Sequence, residues 1–434
     1  MDTTIALYSH DSVGLGHARR NRALAYALGE HLPTLTGGTV GGLLIAGHPD
    51  AGRDPLPEGW DWLVLPGMTR VRGGYGARRL GMDPDSLRDL RSATIDAALA
   101  ALKPDLFIAD RHPFGIDGEL EPVLANLRAR GTATVLGLRE VLDSPRVASA
   151  EWEALGGAEH VASYLDAVWV YGDHHVYDPR LTGELPPALS RLATPTGYLS
   201  HGRPAGRTTY PGRTSPKPPP PYVLTVLGGG SDGAELARLA ASAQLPEGHQ
   251  HLLITGPQMP EQDITEIRAL AAATSASTTV IRSAADVPEL IAEAVSVVCM
   301  GGYNTMAEVM ATSTPALVVP RHRRRQEQPR RARALASVGA VETCNPETLT
   351  AEDITAWWHR SVTGRTDRSH IDLGGLDIVA HLAKELLPAA ASRSAASHSA
   401  TAHSADAHSA AAHLAVEPLP VSVPAHPEVS RHVG

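Results

Sequence analysis

Two α/β domains, each an open parallel sheet, joined by a proline-rich segment and followed by a disordered tail, are what this sequence predicts. Three observations carry the expectation. Short apolar runs alternate with helical patterns from about residue 4 to residue 200. The stretch Arg203–Pro221, rich in Pro, Gly, Arg and Thr and ending Lys-Pro-Pro-Pro-Pro, then breaks the rhythm. From Tyr222 the same rhythm begins again. Strands that alternate with helices argue for parallel pairing, because a parallel neighbour needs a crossover and a helix supplies it. A proline-rich stretch resists both helix and central strand and suits a semi-rigid linker.

In the first half, Ile5–Tyr8 reads as a buried strand, leading through the loop Ser9–Gly16 into a helix near His17–Leu28 with Gly29 as its C-cap. Gly42–Ala46, Trp62–Leu65, Asp105–Ala109, Thr132–Leu136 and Ala167–Val170 are further strands, and Ser86–Leu102 is a helix. In the second half, strands are expected at Tyr222–Leu227, His251–Thr255, Thr278–Arg282, Val295–Cys299 and Ala316–Val319. Helices fit Ala234–Ser242, Asp263–Ala273, Pro288–Ala294, Thr305–Ala311 and Gln328–Val338. The expected domains are therefore 1–202 and 222–388, with 203–221 as linker. Residues 389–434 are Ala/Ser/His-rich, with His398, His403, His408 and His413 at intervals of five. That composition buries too little to offset ordering entropy, and a spacing of five fits neither one helix face nor a zinc motif.

Composition narrows the function classes. The 434 residues are 43% hydrophobic and 20% charged, an ordinary globular balance with a formal net charge of -9, which argues against bulk binding of polyanions. Two cysteines, Cys299 and Cys344, cannot build a disulfide framework or a thiolate zinc site, and they fit a reducing cytoplasm. The first residues lack a basic start and a long apolar run, so no signal peptide is expected, and no stretch reaches the length of a membrane span.

Ligands of open α/β sheets bind beyond the carboxyl ends of strands. Four loops there stand out. Ser9–His17 holds Gly14 and Gly16 and places His17 at a helix start, where a neutral imidazole can accept a proton or simply pack. Arg19 occupies the third-glycine position, so the dinucleotide fingerprint fails. The loop Gly228, Gly229, Gly230, Ser231 can aim amides at a diphosphate. Read as a dehydrogenase loop it lacks an acid after the next strand, and read as a hydrolase elbow it leaves Asp286 and His322 unpaired. The third loop carries Gly301, Gly302, Asn304 and Thr305. Glu308 follows one turn later, where its carboxylate can accept both hydroxyls of a ribose or merely complement the helix dipole. The fourth runs from Arg321 to Gln328. Its Glu327 and Gln328 suit adjacent sugar hydroxyls, and its arginines, continuing to Arg333, suit a solvated loop or peripheral contact with an anionic membrane, while the lack of interleaved aromatics argues against nucleic acid.

Taken together, the motifs VVCMGGYNTMAE (Val297–Glu308), PALVVP, EQPRRA and ASVGA, with DSVGLGHARR and KPDLFIAD in the first half, resemble the GT-B glycosyltransferases. Within these they are similar to the peptidoglycan lipid-intermediate N-acetylglucosaminyltransferase group and to bacterial predicted glycosyltransferases. The resemblance covers about residues 4–388. It implies two Rossmann-like domains facing a cleft, with the nucleotide-sugar donor, a UDP-sugar by family habit, on the C-terminal one. It makes Glu308 the ribose ligand, Gly301 and Gly302 the turn by the phosphates, Glu327 and Gln328 the donor-sugar contacts, Arg282 and Val287 the segment beside the base, and His17 the general base. Asp110 also ends a strand of the first half, so it is the expected orienting partner of His17, with capping of its own loop before Pro113 or pairing with Arg111 as the alternatives. The first loop departs from the Gly-Gly-Thr-Gly-Gly-His form of that group, so its lipid acceptor is not carried over. Retaining enzymes of this fold often carry two glutamates eight apart in the second half, and none follow residue 222 here. The only Asp-x-Asp, Asp83–Asp85, reads as a helix cap. The expectation is thus an inverting transferase that uses no metal and no cofactor and acts on an acceptor hydroxyl. A nucleotide-sugar 2-epimerase and a non-catalytic nucleotide-sugar binder remain the alternatives.

Overall fold

The computed structural model describes residues 1–10, 16–71, 73–204, 221–275, 277–284, 286–321 and 325–387. Most of the proposed linker and the Ala/Ser/His-rich tail lie outside the described residues. The N-terminal half builds a parallel sheet in the order β3-β2-β1-β6-β7-β8-β9. Its strands are β1 (Thr3–Ser9), β2 (Val40–Ala46), β3 (Trp60–Val64), β6 (Leu106–Asp110), β7 (Ala133–Arg139), β8 (Ala167–Tyr171) and β9 (Ala193–Gly197), with a small antiparallel hairpin β4 (Met68–Val71) and β5 (Gly74–Ala77) beside it. The C-terminal half builds a second parallel sheet, β12-β11-β10-β13-β14-β15, from β10 (Tyr222–Val226), β11 (Gln250–Ile254), β12 (Thr278–Ile281), β13 (Ser296–Cys299), β14 (Ala316–Val318) and β15 (Glu342–Thr343). The central strands, such as β1, β6 and β10, are buried on both faces and read as continuous apolar runs, as a helix-covered parallel sheet requires.

Helices cover both sheets. In chain order they are α1 (Gly16–Thr36), α2 (Pro84–Leu102), α3 (Glu121–Ala129), α4 (Pro145–Ala154), α5 (Ala158–Ser163) and α6 (Pro187–Ser190), then α7 (Ala234–Ser242), α8 (Glu261–Thr274), α9 (Val287–Glu293), α10 (Tyr303–Met310), α11 (Glu327–Ser337) and α12 (Ala351–Ser361). Asp83 caps α2 as expected, accepting from the Ser86 amide at 3.0 Å with Pro84 in the first turn. The expected C-cap at Gly29 is corrected: α1 continues to Thr36, and Gly37 at φ +76° ends it. Gly29 sits inside the helix because a Cβ there would stand 3.3 Å from the Trp60 indole nitrogen, so the gap serves packing and not termination.

Two features position the site. In each sheet the strand order reverses about its first strand: β1 lies between β2 and β6, and β10 between β11 and β13. The crevice at such a switch point is where an open α/β sheet binds ligands. The second feature is a return of the chain. Residues 375–387 form a last helix, α13, whose Leu376, Val379, Ala380 and Ala383 belong to one hydrophobic cluster with Leu24, Leu28 and Leu32 of α1. Ahead of it, Tyr198 N donates to Asp372 O at 2.8 Å and Asp372 N to Asp173 Oδ2 at 2.9 Å. This segment, placed with the second half by its position in the sequence, clamps the two halves together.

Ending the chain after Pro388 should leave the melting temperature and turnover unchanged. Ending it at Ile371 removes Leu373, Leu376 and Val379 from the core, at about 1.5–3 kcal/mol for each large side chain. That should lower the melting temperature by roughly 10 °C or more in a thermal scan.

Candidate active site

The N-terminal lip is built on the β1–β6 pair. Ser9 and Asp110 are register partners at the carboxyl ends of these two strands, and α1 begins just after β1. Residues 93 positions apart thus meet: His17 Nδ1 lies 3.1 Å from Asp110 Oδ2. Arg20, three residues on and so on the same helix face, donates to both Asp110 oxygens at 2.8 and 2.6 Å. Asp110 is 1% exposed. Burial alone would raise its pKa, but the Arg20 guanidinium and His17 overcome this and bring it down to about 2. An ionised carboxylate only accepts, and Arg20 only donates. His17 Nδ1 has both as neighbours, Asp110 Oδ2 at 3.1 Å and Arg20 Nη2 at 3.3 Å; we assign its proton to the nearer contact, the carboxylate, which leaves the lone pair on Nε2. Burial moves the His17 pKa below its ordinary value against the pull of Asp110, so the ring is a neutral base at neutral pH. Its side chain keeps 22% exposure, enough to be reached.

Sequence reasoning missed the rest of this lip. His10 and His112 follow β1 and β6, with ring centroids 4.0 Å apart and each about 6 Å from His17. Burial holds His10 down to about 3 and His112 well below its usual range, so both are neutral. The Tyr75 hydroxyl of the hairpin stands 3.4 Å from His10 Nε2. Arg20 was legible as a residue one turn beyond His17; the two histidines were legible only as residues following strands.

The C-terminal lip is built on β10 and β13, register partners through Val226 and Cys299. Gly228 and Gly230 have φ +60° and +86°, and a Cβ on Gly230 would meet Thr255 O at 2.3 Å, so glycine is demanded by backbone packing as well as by any ligand. Ser231 completes this loop ahead of α7. Gly301, at φ +79°, leaves room for Val318, and Gly302 caps α10. Thr305 is buried within α10. Asn304 reaches back over the cleft, its Nδ2 donating to Gly16 O at 2.8 Å, while its Oδ1 accepts from Arg203 at 2.8 Å. Glu308 is buried. Its Oε1 accepts from Arg19 at 2.7 Å and Arg203 at 3.2 Å, while Oε2 is buried without a hydrogen-bond partner among the described residues. Glu327 begins α11, with Oε1 accepting from Arg139 and, at 2.8 Å, from Arg331, and Gln328 Oε1 accepts from the Arg321 amide at 3.1 Å. Arg282 is committed to Pro257 O, Met259 O and Glu261, and Val287 packs into the core at the start of α9. Gly14 and His322 lie outside the described residues.

Ion pairs join the lips. Arg331 of α11 makes a two-pronged bond to Glu140, just past β7, at 2.6 and 3.0 Å, with both side chains fully buried. Arg325 reaches Glu151 at 2.9 Å, and the Gln326 amide donates to Asp143 at 3.1 Å. Tyr303 lies between Arg20 and Arg331, whose guanidinium carbons stand 5.4 and 5.6 Å from its ring centroid.

Residues 223–366 match the model of the glycosyltransferase family 28 C-terminal domain. Over its length the chain superposes on MurG of Acinetobacter baumannii with a TM-score of 0.53 at 16% identity, covering 88% of this chain and 99% of that one. The fold is GT-B. The glycosyltransferase VinC, solved with dTDP, aligns with a TM-score of 0.52 at 16% identity over 89% of this chain and 95% of that one. UGT2 of Phytolacca americana, complexed with UDP-2-fluoro-glucose and pterostilbene, aligns with a TM-score of 0.51 at 14% identity over 93% and 99%. Among curated proteins, the UDP-N-acetylglucosamine–N-acetylmuramyl-(pentapeptide) pyrophosphoryl-undecaprenol N-acetylglucosamine transferase of Paramagnetospirillum magneticum is 33% identical over 102 residues, 23% of this chain and 28% of that protein. Its Rhizobium etli counterpart is 26% identical over 183 residues, 40% of this chain and 49% of that protein. The chain thus spans half or less of the length of these curated relatives.

On this GT-B frame, the arginines of the fourth loop are largely engaged. Arg321 pairs with Asp232 at 3.0 Å, Arg325 with Glu151, Arg330 with Glu184 at 3.2 Å, and Arg331 is buried. No described helix is long and apolar enough to cross a membrane. Among the described residues one trio could hold a metal ion, Asp173, His174 and His175. Asp173 already accepts backbone bonds from His175 and Asp372, and so fastens the segment leading to α13.

Arg331→Leu should destabilise the protein by about 3–5 kcal/mol, because Glu140 is left buried without its cation. Arg360→Leu breaks the exposed pair with Glu342 and should cost less than about 1 kcal/mol. Urea unfolding of the two variants checks the contrast.

Proposed function

We propose that the chain is an inverting, metal-independent glycosyltransferase that moves a sugar from a nucleotide-diphosphate sugar to an acceptor hydroxyl. The observation that carries this reading is the pairing of an oriented neutral base, His17 on Asp110, with the buried Glu308 across the cleft, whose second oxygen has no partner among the described residues. A carboxylate with an unused acceptor suits a sugar diol, and the base lies on the opposite lip, where an acceptor would enter. The family 28 domain match and the nucleotide-bound fold neighbours support the same direction.

In this mechanism Asp110 fixes the His17 tautomer and stabilises the imidazolium that forms. Nε2 takes the acceptor proton as the acceptor oxygen attacks the anomeric carbon from the face opposite the leaving group. Charge that develops on the departing diphosphate falls among the amides of Gly228–Ser231 and Gly301–Gly302 and the start of α10, with Gly16 on the facing lip. The donor, a UDP-sugar by the likeness to the curated relatives, places its ribose on Glu308 and its sugar near Glu327 and Gln328, with Arg282 and Val287 flanking the base. The reading does not call on an anionic membrane for Arg321–Arg333, since most of those described are paired within the protein.

The test is a thermal-shift screen of nucleotide sugars, followed by measurement of nucleoside diphosphate release with hydroxyl acceptors in the presence of a chelator. Release that stops with the chelator and returns with magnesium or manganese contradicts metal independence. Epimerised donor without transfer points to the 2-epimerase.

Glu308→Ala should weaken donor binding by about 1.5–3 kcal/mol in calorimetry, the worth of a charged hydrogen-bond acceptor.

His17→Ala should lower turnover by about 10²–10⁴ while donor binding persists, and Asp110→Asn should lower it less. Turnover needs neutral His17, so kcat/KM should fall only at pH below the ordinary histidine value of 6.5. Asp110 pulls that limb upward, so Asp110→Asn should move it to still lower pH as the plateau drops. A pH–rate profile of both proteins measures this.

A further inference from the structure

Arg139 ends β7 on the N-terminal lip and reaches across the cleft to Glu327. Glu327 is well supplied without it, because Arg331 lies one turn along the same helix, 2.8 Å from the same oxygen. Arg139 is not well supplied. Its Nε is buried and has no hydrogen-bond partner among the described residues. Its surroundings are cationic: Arg20, Arg111 and Arg331 all act on it, and its own charge reaches His17 and His112. Burial, against the pull of Glu327 and helped by the repulsion of those cations, moves its pKa down to about 10. A guanidinium drawn from water, crowded by positive charge and short of acceptors is a place for an anion.

Position says which anion. Arg139 bonds to Glu327, the carboxylate expected against the donor sugar, and its charge reaches His17, the proposed base. The bond that breaks in transfer joins the anomeric carbon to an oxygen of the diphosphate, and that bond lies beside the donor sugar. We propose that Arg139 is the leaving-group ligand of the transfer step, exchanging Glu327 for an oxygen of the donor's terminal phosphate when the donor is bound. This rests on the glycosyltransferase reading above. In the step, the acceptor hydroxyl gives its proton to His17 Nε2 and its oxygen bonds to the anomeric carbon. The bond from that carbon to the phosphate oxygen breaks, and its electron pair stays on the phosphate. The added negative charge is met by an N–H of Arg139. Because Arg139 belongs to the N-terminal lip and the nucleotide to the C-terminal one, the same contact draws the lips together around the donor.

The experiment uses the full chain with UDP and dTDP and their nucleosides, uridine and thymidine, in calorimetry of wild type, Arg139→Gln and Arg139→Lys. Arg139→Gln should weaken the nucleoside diphosphate about tenfold or more, the loss expected of a charge-assisted hydrogen bond, and leave the nucleoside within about twofold. Arg139→Lys should fall between, since it keeps the charge and loses the fork. An intact nucleoside affinity in the glutamine variant reports a folded donor domain. Unchanged diphosphate affinity in that variant overturns the proposal, and so does a loss confined to the acceptor KM, which would assign the anion to the acceptor. If neither diphosphate binds the wild-type chain, the glycosyltransferase reading falls and takes this one with it.

Discussion

Parallel pairing of β1 with β6 is the constraint on which the candidate site depends. It sets Ser9 beside Asp110, so the loop that opens α1 and the end of a strand some hundred residues later share one crevice. Shift that register and His17 loses its partner, Arg20 loses both acceptors, and the tautomer argument fails. The pairing of β10 with β13 does the same for the glycine loop and the start of α10. Two switch points, one in each sheet, set these loops and helix starts at the carboxyl ends of ordinary βα units.

Charge then ties the halves together. Glu140–Arg331, Glu327–Arg139 and Glu308–Arg19 all cross from one lip to the other. Taking the three carboxylates out of water is costly, and each is held by guanidinium donors; Arg331 is buried with its partner, whereas Arg19 keeps a solvent-exposed side. The carboxylates read as donor ligands are two of these three. A donor therefore competes with arginines already in place, and its net affinity is the difference between two sets of charged contacts. Tyr303 adds a rigid element, with a guanidinium near its ring from each lip and its hydroxyl accepting from the Leu199 amide at 3.1 Å.

Much of this was legible in the residues. The strand runs were continuous and apolar, the cap at Asp83 was local, and glycines at strand ends marked the loops. The errors share one cause. Gly29 looks like a helix stop by local rules, yet it is an interior contact with Trp60, which is about 30 residues away. Residues 375–387 carry an ordinary helical pattern and give no sign that they pack on α1. His10 and His112 look unremarkable singly and become a close, tilted neutral pair only when β1 and β6 lie side by side.

By itself the sequence determined two parallel α/β halves, the four unusual loops that follow strands, and the chemical types available there: a histidine, several carboxylates and many arginines. These follow from periodicity and composition, which are local. Only the tertiary structure decided which of those groups touch. Asp110 could have capped its own loop, Arg331 could have faced solvent, and Arg139 carries no motif. Strand order and the packing of α11 against the N-terminal lip brought them together, because in a buried crevice an unpaired charge is expensive and the fold that pairs it is favoured.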